Sequence, residues 1–282
     1  MGETLSFTKM HGAGNDYIYF NCLERELADP AAVAVALSPR RHAVGADGIV
    51  LICPSSVADA KMRMFNADGS EGKMCGNAIR CVARYLVERV GGFKDELTVE
   101  TLSGIKRLTV NRDGDGAFSS VSVEMGRAIL EGRSIPVDAD GLIRDYPLTV
   151  GRKTWDITAV SMGNPHAVTF VKDTRRLSLE KIGPLFENHP FFPDRVNTEF
   201  VRVIDATEVE MRVWERGSGE TLACGTGACA AVVAACINGK CPFDLPVTVR
   251  LPGGCLSVEC RSDLTLTLTG DAAFVFDGVC PA

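Results

Sequence analysis

Two cysteines occupy the same kind of position in this sequence. Cys75 lies in KMCGNAIRC and Cys224 in TLACGTGAC, and in both segments a Cys-Gly pair opens an apolar run with helical spacing. The first N–H groups of a helix lack intrahelical partners and the helix dipole is positive there. A thiol at that place should therefore have a pKa below its usual value of about 8.5. The glycine that follows leaves the backbone open to a ligand.

A pair of such thiols can invert a carbon atom that carries hydrogen. One cysteine, as thiolate, removes the proton from one face, and the other, as thiol, returns a proton to the opposite face. The charge that develops on carbon delocalises into a substrate carboxylate, which the N–H groups at two helix starts could stabilise. This chemistry needs no cofactor. It predicts an amino-acid racemase or epimerase in which Cys75 and Cys224 are the two acid/base groups.

The two cysteines belong to an internal repeat with an offset of 149 residues. Without gaps, the same offset also aligns three other pairs: Asn15 with Asn164, Gly48 with Asn197, and Asn66 with Glu215. Four matches in order at one offset predict two homologous halves. Halves of this kind usually meet about a pseudo-two-fold axis, and we expect the active site in the cleft between them.

Each half is predicted to be a β-rich wrap around one central helix. Helical spacing of apolar residues runs over 79–90 and ends at Gly91-Gly92, and an apolar run over 228–237 ends at Asn238-Gly239. Short alternating segments predict strands at 97–102, 107–110, 119–124, 247–251 and 264–268. No alternation typical of parallel βαβ units is evident. The predicted fold class is α/β (α+β), with two homologous pseudo-symmetric domains.

Composition limits the possible functions. The chain has 282 residues, of which 46% are hydrophobic and 23% charged, as is ordinary for a globular protein. The net charge of −6 gives no electrostatic footprint for nucleic acid or an anionic membrane surface. The N-terminus lacks the apolar region of a signal peptide, and no apolar run approaches the ~18 residues of a membrane span. We expect a cytoplasmic protein.

The eleven cysteines allow other interpretations. Cysteines are often small buried hydrophobes, and two of them could share a helix-start position through duplication alone. Neither a structural zinc site nor a thiol–disulfide oxidoreductase of the thioredoxin type is expected, because no C-x2-C pair occurs in the chain. We therefore expect no metal.

The segments around the two cysteines resemble diaminopimelate epimerases. The likeness lies in GNDY (14–17), FNADGS (65–70), MCGNAIRC (74–81), GNPH (163–166), RVNTEF (195–200) and ERGSGETLACGTGACA (215–230). These motifs come in the family's order and span nearly the whole chain. The resemblance implies a homodimeric enzyme, free of pyridoxal phosphate, that interconverts LL- and meso-diaminopimelate in lysine and peptidoglycan precursor synthesis. It also implies two α/β domains, which we place at 1–122 with 268–282 and at 123–267.

By matching position, the resemblance implies Cys75 and Cys224 as the catalytic pair, with His166 in a supporting role. The substrate-binding residues that it implies are Asn15, Asn66, Gly76, Asn77, Asn164, Asn197, Glu215, Arg216, Gly225 and Thr226. Diaminopimelate carries an amino-acid group at each end, so its far end needs recognition of its own. Arg216 suits a carboxylate in bidentate geometry, and Glu215 and the asparagines suit ammonium and carboxylate groups.

One position departs from a common pattern of the family. Gly48 stands where many members have Gln, so a side-chain contact made by that Gln is absent here. The alternative function is a proline racemase or hydroxyproline epimerase of the same architecture, which usually has His where this chain has Asn77. A non-catalytic binding protein of this fold would be expected to have lost one of the two cysteines, and both are present.

Overall fold

The computed structural model describes residues 4–281, which form eighteen strands and four α-helices. The strands are β1 (Thr4–Gly12), β2 (Asn15–Asn21), β3 (Gly48–Cys53), β4 (Ala60–Asn66), β5 (Glu71–Gly72), β6 (Glu96–Thr101), β7 (Gly104–Arg112), β8 (Phe118–Arg127), β9 (Tyr146–Val150), β10 (Lys153–Ser161), β11 (Pro165–Phe170), β12 (Asn197–Asp205), β13 (Glu208–Glu215), β14 (Gly219–Thr221), β15 (Pro246–Leu251), β16 (Gly254–Cys260), β17 (Thr265–Gly270) and β18 (Ala273–Pro281). The helices are α1 (Pro30–Leu37), α2 (Gly76–Tyr85), α3 (Leu179–Glu187) and α4 (Gly225–Ile237).

The chain divides into two compact units. Unit 1 comprises Met1–Glu124 and Thr269–Ala282, and unit 2 comprises Met125–Leu268. The core of unit 1 includes Ile18, Phe20 and Ile49. The core of unit 2 centres on three aromatic rings, Trp155, Phe186 and Phe200, whose centroids lie 5.5–5.9 Å apart with edge-on contacts. Each unit therefore has a hydrophobic core of its own.

In unit 1 the strands follow one simple path. Strand β1 pairs antiparallel with β2 and β18. Strands β2 and β3 run parallel and are connected through α1, and β3 pairs antiparallel with β4. Strands β4 and β6 again run parallel, connected through α2, and β6, β7 and β8 continue antiparallel. Unit 1 thus contains two strand–helix–strand crossovers.

Unit 2 repeats this path. Strands β9, β10 and β11 are antiparallel, β11 and β12 run parallel across α3, and β13 and β15 run parallel across α4. Even the register is kept: Ile18 lies opposite Ile49 in unit 1, and 149 residues later Ala167 lies opposite Thr198 in unit 2. The repeat predicted from four short matches is therefore a repeat of the backbone.

The parallel crossovers were not expected from the sequence, because the shorter helix of each unit gives little signal. Helix α1 has only 8 residues and no polar face, so its pattern does not differ from that of a buried strand. Helix α3 carries Pro184 in its interior, which argues against a helix in sequence-based reasoning. Each unit thus has a second, shorter helix besides the predicted central one.

The two central helices agree with the prediction. Helix α2 continues through a π-helical turn to Val90 and stops at Gly91, whose φ of 78° suits glycine. Helix α4 is buried along nearly its whole length because it is made of Ala, Val and Cys, and it ends at Asn238. The predicted strands are also present, with ends shifted by a residue or more. Within residues 4–281, no helix is both long and apolar enough to span a bilayer.

Candidate active site

Cys75 is the N-cap residue of α2. Its backbone is extended, with φ −132° and ψ 121°, and its sulfur accepts a hydrogen bond from the N–H of Ala78 at 3.5 Å. A cysteine thus fills the capping role that Ser or Asp usually has. Gly76 and Asn77 follow as the first helical residues, so their N–H groups have no intrahelical acceptor.

The side chain of Asn15, at the start of β2, contacts the Cys75 thiol. Its Nδ2 donates to Oδ2 of Asp47 at 2.7 Å. A carboxylate only accepts hydrogen bonds, so this contact fixes the orientation of the carboxamide and turns Oδ1 away from Asp47. Oδ1 lies 3.3 Å from Sγ of Cys75 and 3.4 Å from Nδ2 of Asn77. The thiol of Cys75 therefore faces an acceptor. We call these four residues the Cys75 cluster.

An ion network holds the carboxylate of Asp47. Arg40 contacts Asp47 at 2.7 Å and Asp16 at 2.6 Å, and the buried Lys9 contacts Asp16 at 2.7 Å. Burial alone would raise the pKa of Asp16, but Arg40 and Lys9 outweigh it and lower that pKa. The network thus favours the ionised form of Asp16, and Arg40 holds the Asp47 side chain where it accepts from Asn15.

Asn66 and Gly48 face each other across β3 and β4 in unit 1. Asn66 donates from Nδ2 to the hydroxyl of Ser70 at 2.9 Å. A Cβ atom at Gly48 would collide with the carbonyl oxygen of Phe65. The backbone here approaches its neighbour so closely that a side chain at position 48 would force it to shift, and in this chain position 48 contributes no side chain to the site.

Cys224 is the N-cap residue of α4 and has the same geometry as Cys75. Its φ and ψ are −123° and 113°, and its sulfur accepts from the N–H of Gly227 at 3.3 Å. The hydroxyl of Thr226 lies 3.5 Å from the same sulfur. Gly225 and Thr226 are the first residues of the helix, and they occupy the places that Gly76 and Asn77 have in α2.

Asn164 and His166 form a chain of contacts beside Cys224. The Nδ2 of Asn164 donates to Oγ1 of Thr226 at 3.3 Å, and its Oδ1 lies 3.0 Å from Nε2 of His166. The other ring nitrogen, Nδ1, lies 2.7 Å from Oε1 of Glu199. The side chains of His166 and Glu199 are both fully buried. These residues, with Cys224, form the Cys224 cluster.

Three further predicted residues lie at the end of β13 and the start of β12. Asn197 donates from Nδ2 to the carbonyl of Pro165 at 3.0 Å and accepts from the N–H of Arg216 at 2.9 Å. The guanidinium of Arg216 donates to the carbonyl of Asp194 at 2.7 Å. Glu215 accepts from the hydroxyl of Thr221. Asn197 therefore anchors the backbone that carries Glu215 and Arg216.

The thiol pKa predicted for a helix start is wrong for Cys224. Burial raises this pKa well above its ordinary value, and the carboxyl groups of Glu215 and Glu199 raise it further, while Thr226 and the N–H of Gly227 act in the opposite direction. Burial also raises the pKa of Glu215, against the effects of Thr221, His166 and Cys224. For the pKa of Cys224, desolvation therefore outweighs the helix terminus.

The comparisons with known proteins agree with one another. The sequence profile of the family "Diaminopimelate epimerase" matches residues 7–131 and 158–275. The diaminopimelate epimerase of Acetivibrio thermocellus is 52% identical over 276 residues, which cover 97% of this chain and 98% of that protein. The diaminopimelate epimerase of Agathobacter rectalis is 50% identical over 283 residues, with coverage of 97% and 98%.

The chain belongs to the diaminopimelate epimerase family. Among solved structures, a hydroxyproline epimerase from Agrobacterium vitis matches with a TM-score of 0.72 at 16% identity and covers 100% of this chain and 94% of that chain. A phenazine biosynthesis protein of the PhzF family from Bacillus anthracis matches with a TM-score of 0.71 at 17% identity, with coverage of 99% and 100%. At such identities the likeness shows the fold alone. The predicted α/β class of this epimerase-family chain is confirmed.

The structure groups most of the predicted site residues, unit by unit. In unit 1 the residues brought together are Asn15, Cys75, Gly76 and Asn77, while Asn66 bonds to Ser70. In unit 2 they are Asn164, His166, Cys224, Gly225 and Thr226. The carboxyl group of Glu215 is close enough to raise the pKa of the Cys224 thiol. Asn197 and Arg216 form a group of their own.

Two residues of these clusters were missed by the sequence reasoning. Asp47 immediately precedes Gly48, and no local pattern in the sequence marks it as a partner of Asn15. Glu199 lies within RVNTEF, the very motif that carries Asn197. The available signal was an acidic residue directly before the apolar pair Phe200-Val201 in a strand, because a carboxyl group that is buried there needs a partner.

Proposed function

We propose that this protein interconverts LL- and meso-diaminopimelate by passing the α-proton between Cys75 and Cys224, without a cofactor. The observation that carries the proposal is the duplicated arrangement of a thiol at a helix start. Cys75 and Cys224 cap α2 and α4 in the same way, and each lies in a cluster with the carboxamide of an equivalent asparagine, Asn15 or Asn164. Membership of the diaminopimelate epimerase family supports the choice of substrate.

In the proposed mechanism, one sulfur as thiolate removes the α-proton while the other donates its proton to the opposite face of the same carbon. The reaction requires both thiols to reach that carbon from opposite sides. The substrate carboxylate accepts the charge that develops, and the N–H groups of Gly76, Asn77, Gly225 and Thr226 at the two helix starts stabilise it. Since either thiol can begin, the reaction runs in both directions.

Other residues are proposed to bind and orient the substrate. The carboxamides of Asn15 and Asn164 hold the reacting end, and Glu215 and His166 set the polarity around it. Arg216 binds the carboxylate at the far end, where Asn66 and Asn197 add polar contacts. Recognition of the far end distinguishes diaminopimelate from amino acids that lack a second charged end.

The setting of the enzyme follows from the same family. We propose a cytoplasmic homodimer that contributes to lysine and peptidoglycan precursor synthesis. Size-exclusion chromatography with light scattering tests the homodimer, which a monomer mass at micromolar concentration would contradict.

The test of the proposed function is exchange of solvent deuterium into the substrate. Reduced protein is incubated in D2O with LL-diaminopimelate, L-proline or trans-4-hydroxy-L-proline, without added cofactor, and mass spectrometry follows deuterium at the α-carbon. We expect incorporation into diaminopimelate alone. Cys75→Ala and Cys224→Ala should each lower turnover by about a thousandfold or more, because each removes one acid/base group. Exchange into proline or hydroxyproline, or a requirement for pyridoxal phosphate, would overturn the proposal.

A further inference from the structure

Burying the ionisable pair of His166 and Glu199 in the protein interior costs free energy. Both side chains are completely buried, and Nδ1 of His166 lies 2.7 Å from Oε1 of Glu199. The second carboxyl oxygen, Oε2, is also buried and has no hydrogen-bond partner in the described part of the chain. Burial raises the pKa of Glu199, and His166 lowers it only in part. A buried carboxyl group with one unpaired oxygen and a raised pKa is uncommon in proteins, and it indicates a functional role.

The contacts around His166 have a fixed direction. Nδ2 of Asn164 can only donate, so at 3.3 Å it makes Oγ1 of Thr226 an acceptor. Oδ1 of Asn164 can only accept, so Nε2 of His166, 3.0 Å away, must carry hydrogen. Glu199 and Nδ1 of His166 then share one proton across their 2.7 Å contact.

The direction of these hydrogen bonds decides whether the Thr226 hydroxyl presents a donor or an acceptor to the sulfur of Cys224. With its oxygen accepting from Asn164, the hydroxyl of Thr226 is left with its own hydrogen to donate, and Sγ of Cys224 lies 3.5 Å away. A donor to sulfur favours the thiolate, so the Thr226 hydroxyl opposes burial and the carboxyl groups of Glu215 and Glu199, all of which raise the pKa of Cys224. The opposite direction would place a lone pair of Thr226 against the sulfur and favour the thiol.

We propose that Glu199 is a positioning residue that holds His166 as an Nε2–H donor and thereby fixes the direction of the hydrogen-bond chain from His166 through Asn164 and Thr226 to Cys224. Glu199 acts through His166 and does not itself touch the substrate. The proposal rests on the proposed function, in which Cys224 must become a thiolate during turnover.

The repeat gives independent support, because unit 1 keeps the asparagine and the thiol but has neither the histidine nor the acid. The residues 149 positions before His166 and Glu199 are Tyr17 and Val50, and the equivalent of Gly227 is Ala78. A Cβ atom on Gly227 would lie 2.8 Å from Oε1 of Glu199, so the glycine leaves the space that the carboxyl group occupies. Of the two thiols, only Cys224 therefore has both the acid, Glu199, and the glycine, Gly227, that leaves space for its carboxyl group.

Substitutions at Glu199 separate the hydrogen bond from the packing. In Glu199→Met the partner of Nδ1 is lost with little change of volume, and we expect kcat for LL-diaminopimelate to fall by about tenfold or more while KM changes less than about threefold. Glu199→Gln can donate its amide to Nδ1 and keep hydrogen on Nε2, so kcat should stay within about threefold of wild type. Glu199→Val, which copies the residue of unit 1, is the second apolar variant if the Met protein does not fold.

Thr198→Val is the matched control. Thr198 neighbours Glu199 on β12, is fully buried, and its hydroxyl has no hydrogen-bond partner among residues 4–281. We expect kcat within about twofold of wild type, because no hydrogen bond is removed. An equal loss in Thr198→Val and Glu199→Met would reduce the role of Glu199 to packing and overturn the proposal, as would a Met variant with wild-type kcat.

Nitrogen-15 NMR of the histidine rings supplies a readout that needs no substrate. The chain has four histidines, and a spectrum of His166→Gln identifies the His166 signals. Hydrogen should reside on Nε2 of His166 in the wild-type and Gln proteins at pH 7, and Glu199→Met should mix the two tautomers. A wild-type ring without hydrogen on Nε2 contradicts the proposal. If the ring behaves as expected but diaminopimelate does not react, the proposed function fails and the positioning role stands.

Discussion

Cys75 and Cys224 hold equivalent places in the two repeats, yet their sulfur atoms meet opposite surroundings. The Cys75 sulfur faces Oδ1 of Asn15, an acceptor held in place by the side chain of Asp47. The Cys224 sulfur faces the hydroxyl of Thr226, which is linked through Asn164 to the buried pair of His166 and Glu199. The two repeats thus share the helix start and the thiol but differ in the hydrogen-bond partners of the sulfur.

The difference lies in the residues that orient the two asparagines. Asp47 pulls the amino end of Asn15 toward itself, so the oxygen points to the thiol. His166 binds the oxygen end of Asn164, so the amino end points to Thr226. The same carboxamide therefore presents an acceptor on the Cys75 side and a donor on the Cys224 side. The sulfur of Cys75 therefore has an acceptor beside it, whereas the sulfur of Cys224 lies beside a hydroxyl.

The largest expected effect comes from removing this difference in unit 1. The substitution Asp47→Val introduces the residue found at the equivalent position of unit 2, Val196. Without the Asp47 side chain, the carboxamide of Asn15 can rotate and exchange its oxygen and nitrogen positions. We expect kcat/KM to fall by about 10- to 100-fold, the size of a lost hydrogen bond to a charged group. Steady-state kinetics with LL-diaminopimelate measures the change. Asp95→Asn, at an exposed ion pair with Arg112, is the control and should retain full activity.

The next effect tests the space around Glu199. Gly227→Ala places a Cβ 2.8 Å from Oε1 of Glu199 and 3.2 Å from Sγ of Cys224, so the carboxyl group or the thiol must shift. We expect a loss of about 1–3 kcal/mol in the free energy of unfolding, together with reduced turnover. The reverse change in unit 1, Ala78→Gly, should cost only the helix propensity of about 1 kcal/mol. Equal unfolding energies and equal rates for the two variants would show that the units do not differ here.

Arg216 tests a difference at the far end of the substrate. Its equivalent in unit 1 is Ala67, so only unit 2 offers a guanidinium at this place. Arg216→Ala should raise KM by about tenfold and change kcat less, since the lost contact binds ground state and transition state alike. Arg202→Ala, at an exposed pair with Glu210, is the comparison variant. An unchanged KM in Arg216→Ala would remove this residue from the site.

The smallest effect concerns the reactivity of Cys224 in the resting protein. Since burial and two carboxyl groups raise the pKa of Cys224, little thiolate exists at pH 7, and its alkylation by iodoacetamide should be slow. The rate should keep rising with pH beyond about 8.5, where an ordinary thiol begins to level off. Peptide mass spectrometry compares it with the exposed Cys255. Labelling of Cys224 as fast as that of Cys255 at pH 7 would mean that the thiol is not held protonated.

Much of the fold and site could be predicted because the sequence carries local signals for them. The structure contains the predicted helix starts at the two Cys-Gly pairs and the predicted helix ends at Gly91 and Asn238. The 149-residue offset also relates the strand registers of the two units. The partners that orient the asparagines could not be predicted, because Asp47 and Asn15 meet only through the register of β2 and β3. The raised pKa of Cys224 was missed for a similar reason, since it depends on burial and on carboxyl groups from β12 and β13.

The most direct test of two-thiol catalysis is the isotope content of the first product. Wild-type protein converts LL-diaminopimelate in D2O, and the reaction is stopped below about 5% conversion, before product returns through the site. A thiol that exchanges with solvent between turnovers should give meso product carrying one deuterium at the inverted carbon, while the remaining LL substrate stays unlabelled. Product that keeps the original protium would show that a single base returns the proton it removed, and this would contradict the roles assigned to Cys75 and Cys224.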